Sequence, residues 1–257
     1  MNQSTLLTIA KYSIWEAIRD RFLIFIVLGI LAFLFVSLFV GELAITEGIQ
    51  MQAAILAFSL RLFCVFTIGL FVITSMIREF NDKGFELILS HPVPRSTYYF
   101  GKFTGFAFVA LSISLLCVCC LSLYVPVTLS LFWSISLFCE LLIIIALSML
   151  ALFSFNSITI SFSAVKAFYF VSRSIEVIRL LGSSPIIDST ELSHKFINFL
   201  LDVIAYVIPD LYRFTQTDWV VYISDLKSDF IIVVLQTIIY VVLLSCAALF
   251  DLYRKEF

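Results

Sequence analysis

Two histidines (His91, His194), six cysteines and a few charges inside apolar runs are the residues of this chain whose types could support chemistry. An intramembrane enzyme needs clustered acids, histidines or metal ligands at defined spacing. No pair of acids has ligand spacing within an apolar run, and the two histidines fall on opposite sides of the topology derived below. Cys64, Cys117, Cys119, Cys120, Cys139 and Cys246 all lie in apolar runs, where a thiol reads first as a small buried hydrophobe. The Cys117/Cys119/Cys120 cluster is soft enough for a thiophilic metal, but no His, Met or acid stands close by in sequence. A phosphate cradle of the form Gly-x-x-x-x-Gly-Lys-(Ser/Thr) is missing: Gly101-Lys102 is followed by Phe103, and position 96 is Ser. These residues point away from an enzyme and from a cofactor or metal held by this chain.

The remaining chemistry is electrostatic. A charge at the centre of a membrane span costs roughly 2.5–3.5 kcal/mol on insertion scales, so its presence needs a reason. Glu140 interrupts one apolar run, and Lys166, Arg173, Glu176 and Arg179 fall inside another. Arg173, Glu176 and Arg179 are spaced by three along one helical face, with Lys166 two turns earlier. That stripe lines a transport path or a dimer seam on one reading, and forms internal ion pairs that lock the bundle on the other. Glu140 is expected to pair with Lys166, and Arg61 to snorkel to headgroups.

Composition sets the frame that must position these groups. The chain is 62% hydrophobic and 13% charged, with mean hydropathy +1.10. A soluble domain is nearer half apolar and a quarter charged, so this is a polytopic membrane protein of all-α class. A net charge of −2 without a basic tail argues against a nucleic-acid partner. No cleavable signal peptide is visible ahead of the first apolar run. Six spans are expected, at 22–41, 56–77, 103–125, 132–155, 158–180 and 230–250. Lys11, Arg19 and Arg21, then Arg78, Lys83, Arg95 and Lys102, then Arg254 and Lys255 alternate with loops 42–52 and 126–131 that carry no Lys or Arg. Both termini and the 78–102 loop are therefore expected on the cytoplasmic side.

Two further segments suit a membrane without crossing it. In 4–21, Leu7, Ala10, Ile14, Ala17 and Ile18 recur at helical spacing, away from most charges, which predicts an amphipathic interfacial helix or an extension of the first span. The stretch 196–209 is too short to cross and carries Asp202, which predicts a re-entrant or interfacial element on the outer side. Between the second and third spans lies a compact charged segment, Glu79 to Arg95. Asn81 or Asp82 can cap a short helix over 82–90, with Phe85, Ile88 and Leu89 on one face and Pro92 and Pro94 as the stop.

The run Glu86-Leu-Ile-Leu-Ser-His-Pro-Val-Pro-Arg95, followed by Gly101-Lys102, resembles the motif of type-2 ABC transporter permeases. Ile208-Pro-Asp-Leu-Tyr-Arg-Phe214 is similar to that family's outer proline-containing stretch, and Phe250-Asp-Leu-Tyr-Arg-Lys255 to its basic ending. Two departures stand out: the local order Gly84-Phe85-Glu86, and Pro94 in place of Ser. The resemblance implies a permease subunit, of an exporter by family bias, whose loop helix docks on a separate ATPase. Two ATPases would bind ATP and Mg, and two permease copies would form the path. It also implies a plasma (bacterial inner) membrane, a possible outer-side accessory protein, and Asp82, Lys83, Phe85, Glu86, Leu87, Leu89 and Arg95 as the ATPase contact.

Overall fold

The computed structural model describes residues 3–43, 48–82, 94–182, 208–215 and 226–254. Among them the regular structure is all helical: α1 Gln3–Arg19, α2 Phe22–Leu43, α3 Gly48–Asn81, α4 Arg95–Leu121, α5 Val127–Phe155, α6 Ile158–Gly182 and α7 Leu226–Arg254, with one 3-10 turn, Arg213–Thr215. Five of these helices are long and apolar enough to cross a membrane: α2, α3, α4, α5 and α7. The chain is thus built as a multi-pass membrane protein. α6 falls outside that set because Lys166, Arg173, Glu176 and Arg179 lie on it.

Three helix starts differ most from the sequence expectation, and each difference has a local cause. α3 begins at Gly48 rather than 56, running through Gln50 and Gln52 into 34 residues. At a rise of about 1.5 Å per residue it is about 51 Å long, well beyond a hydrocarbon core of about 30 Å. α4 begins at Arg95 because Pro94, extended at its N-cap, ends the preceding chain. Pro126 holds the same N-cap position for α5, four residues after Ser122 caps the end of α4.

α5 is the hub. It packs against α3, α4, α6 and α7 and is the most buried span. Its C-cap, Asn156, takes the left-handed conformation (φ 53°) and returns its N–H to the Leu152 carbonyl, so α6 folds straight back. Ser161 Oγ then donates to the Ala151 carbonyl at 3.1 Å. Serines also tie other neighbours: Ser134 donates to the Ser114 carbonyl at 2.8 Å, and Ser37 to the Gln52 carbonyl at 3.0 Å. Such bonds suit lipid-embedded helices, which gain little from burying apolar surface against each other. α2 and α7 turn Phe25, Leu28, Phe35, Phe39, Leu235, Ile239 and Leu243 outward, as lipid-facing helices do.

One end of the bundle, called proximal here, gathers α1, the last turns of α3, the first turns of α4 and the end of α7. At this end Arg21 adopts a left-handed conformation (φ 56°), uncommon for a long side chain, and breaks α1 from α2. α1 is therefore not a straight extension of α2. It lays Ile9, Ala10, Ser13 and Ala17 into the bundle, while Leu7, Trp15 and Ile18 remain exposed. The glycines of Gly101-x-x-x-Gly105 make this docking possible. A Cβ on Gly101 would sit 2.9 Å from the Ile9 Cβ, and one on Gly105 would sit 2.9 Å from the Ala10 carbonyl oxygen. This is the small-residue seam of membrane helix pairs.

Candidate functional site

Two charged assemblies stand out, one at the proximal end and one at mid-bundle. At the proximal end, Lys102 is almost fully buried on α4 and places its ammonium 2.6 Å from Glu79 of α3 and 3.7 Å from Glu16 of α1. Arg78 of α3 pairs with Asp20 beyond the end of α1. The Gly-Lys of the sequence motif thus has one local job: glycine admits α1, and lysine neutralises two carboxylates where three helices meet. Lys102 is a helix residue, not a loop residue.

Arg95 opens α4 and reaches the end of α7. Its Nη1 donates to the Leu252 and Tyr253 carbonyls at 2.8 and 3.1 Å. Those are carbonyls of a final helical turn, which attract a cation. Tyr99, one turn on, donates to Ser245 Oγ at 3.0 Å. The segment 83–93 therefore leaves a helix tied to α1 and re-enters a helix tied to α7. Of the residues expected to contact an ATPase, Asp82 and Arg95 are described: Asp82 is an exposed turn residue and Arg95 faces α7. Lys83, Phe85, Glu86, Leu87 and Leu89, with the expected 82–90 helix beyond Asp82, lie outside the described residues, as does 196–207 of the expected re-entrant stretch.

Arg95→Ala is expected to fray the last turn of α7. Hydrogen exchange of a peptide covering 246–254 should quicken several-fold, because charge-assisted bonds to helix-terminal carbonyls contribute about 1.5–3 kcal/mol before discounting for partial exposure. Unchanged exchange in that peptide would show the contact to be idle.

At mid-bundle the expected pairing is overturned. Glu140 bonds Arg61, not Lys166: Arg61 Nη1 lies 2.8 Å from Glu140 Oε2, and both side chains are almost fully buried. Arg61 does not snorkel. Because α3 starts at Gly48, position 61 falls well inside the helix rather than near its start. The guanidinium stacks over Trp133, 4.9 Å from the ring centre. The same Nη1 donates to the Phe214 carbonyl at 2.7 Å, and Ser136 Oγ donates to that carbonyl at 2.7 Å. Arg61, Trp133, Ser136 and Phe214 were not singled out as a cluster by sequence pattern. The available signal was one cation and one anion alone in separate apolar runs.

α6 runs antiparallel to α3, with Val165 near Gly69, Tyr169 against Phe66 and Arg173 over Phe58. Lys166 sits 4.2 Å above the Phe162 ring, and Arg173 Nη1 donates to the Tyr169 hydroxyl at 2.8 Å. Both cations are half-buried. The side chains of Glu176 and Arg179 lie outside the described ones. Cys117, Cys119 and Cys120 do not converge on one point. Cys117 Sγ turns to Cys64 Sγ at 3.7 Å, while Cys119 is exposed, and no metal-ligand cluster forms among the described residues.

Neither a protein-family model nor a curated protein matches the chain.

Proposed function

We propose that this chain is the transmembrane permease subunit of an ATP-driven ABC transporter, an exporter, driven by a separate ATPase. The motif from Glu86 to Arg95, with Gly101-Lys102 behind it, carries the reading. Its flanks support it: α3 and α4 on either side are joined to α1 through the Glu79–Lys102–Glu16 cluster, and α4 is joined to α7 through Arg95. Displacing such a segment would move several helices together, as a coupling element must.

On this reading Phe85, Glu86, Leu87 and Leu89 meet the ATPase, with Asp82 and Lys83 at the rim. Arg95 transmits the movement inward. α6 is the sixth span, its Lys166 and Arg173 facing a path or a second permease copy rather than lipid. Both termini and the coupling segment are cytoplasmic, in a plasma membrane. ATP and Mg belong to the partner.

The test is a mild-detergent purification from native membrane, with ATPase activity assayed on the eluate. An ATP-hydrolysing subunit should co-elute. Glu86→Ala and Leu89→Asp should each reduce its recovery or stimulated activity about tenfold or more, since a central hot-spot residue contributes at least about 2 kcal/mol. If no ATPase co-elutes under several gentle conditions, the chain is an ATP-independent transporter or a scaffold.

A further inference from the structure

The 208–215 segment enters the bundle from the end opposite α1. Pro209, Leu211 and Phe214 are buried, and the 3-10 turn Arg213–Thr215 packs against α5 and α7. The Phe214 carbonyl reaches a guanidinium that sits well inside α3. Irregular backbone at this depth is tolerated only where its polar groups are satisfied. Arg61 and Ser136 supply that satisfaction.

The way Arg61 divides its donors is unusual. A guanidinium and a carboxylate normally prefer two parallel bonds. Here a single nitrogen, Nη1, serves both Glu140 and Phe214, while Arg61 Nη2 and Glu140 Oε1 have no partner among the described residues. Two buried, unpaired charged atoms raise the energy of this arrangement. A competing arrangement is available without any new residue. If the Phe214 carbonyl withdraws, Arg61 can turn both Nη atoms onto both Glu140 oxygens.

We propose that Arg61 and Glu140 form a two-position latch for the 208–215 segment. In the shared position, seen here, Arg61 bridges Glu140 and the Phe214 carbonyl and holds the segment in the bundle. In the bidentate position the ion pair satisfies itself and the segment is released, opening the bundle from the end opposite α1. The latch is a positioning device: the ion pair survives in both positions, and the backbone contact changes.

Labelling kinetics with a membrane-impermeant maleimide, on membranes open to reagent at both faces, test this. The reporter is Leu211→Cys, a fully buried position on the segment. A second reporter, Leu137→Cys, is fully buried on α5 beside Ser136. Ser136→Ala removes one of the two donors to the Phe214 carbonyl and leaves the ion pair intact. Arg61→Lys keeps the charge on one nitrogen but loses the planar fork that the bidentate position needs. Ser136→Ala should speed labelling at 211 by about tenfold, the scale of one buried hydrogen bond, whereas Arg61→Lys should not speed it, and both should leave labelling at 137 unchanged. Labelling at 211 no faster in Ser136→Ala than in the parent, or as fast in Arg61→Lys as in Ser136→Ala, overturns the latch. So does an equal rise at 211 and 137, which would mean general loosening.

Discussion

Arg61→Leu or Glu140→Leu alone will destabilise the bundle by about 3–5 kcal/mol, whereas the double replacement will recover most of that loss. Each single change strands a charge in a site where its partner is almost fully buried. An unpaired charge at mid-span also costs roughly 2.5–3.5 kcal/mol on insertion. The double change removes both charges and fills the space with apolar volume, which is often near neutral. Thermal unfolding of the purified chain in detergent, with monodisperse yield as a second readout, measures the three variants. A coupling energy of at least about 2 kcal/mol is expected from the cycle. Singles as mild as the double would show that the pair does not hold the bundle. The double variant should still lose the Arg61 bond to Phe214, so recovered stability with a freed 208–215 segment is the expected combination.

The second large effect is steric. Gly105→Leu will push α1 off α4. The new Cβ alone would lie 2.7 Å from Ser13 Cβ and 2.9 Å from the Ala10 carbonyl oxygen, and that oxygen belongs to helix backbone that cannot rotate away. Overpacking of this kind costs about 1–3 kcal/mol. Loss of docking separates Glu16 from Lys102 as well. Trypsin cleavage at Arg19 and Arg21, both exposed beside the α1–α2 break, should accelerate strongly, with a lower unfolding midpoint. Gly69→Ala is the matched control. Its Cβ would meet Ile144 and Ser148 at 3.5 Å, an ordinary contact. Helix propensity favours alanine there by up to about 1 kcal/mol. If Gly105→Leu cleaves and melts like the parent, α1 is not held by the glycine seam.

Much of the architecture was legible because lipid imposes a simple rule. Every backbone group in a span must be satisfied within its own helix, so long apolar runs announce helices. The start of α2 at Phe22 and the end of α5 at Phe155 are marked by the apolar runs for that reason. Starts were misjudged where polar residues belong to a helix: Gln50 and Gln52 sit inside α3, and Arg95 and Lys102 inside α4. Composition cannot reveal that a helix outruns the bilayer. α1 lays Ala10 and Ala17 into the bundle and leaves the larger Leu7 and Ile18 exposed, because a close helix seam selects small residues over large ones.

The sequence by itself determined the class of this protein: an all-helical, multi-pass membrane chain with charges confined to a few places. It also located the charged segment between α3 and α4 and the resemblance on which the functional proposal rests. Only the tertiary structure decided which charges meet. Arg61 and Glu140 are 79 residues apart, and the Phe214 carbonyl joins them from a third element. Periodicity reports which face of one helix is apolar, but says nothing of which neighbour that face will find. Pairing across helices is set by packing and depth, and the near-complete loss of solvent around Arg61 and Glu140 makes their partner choice decisive.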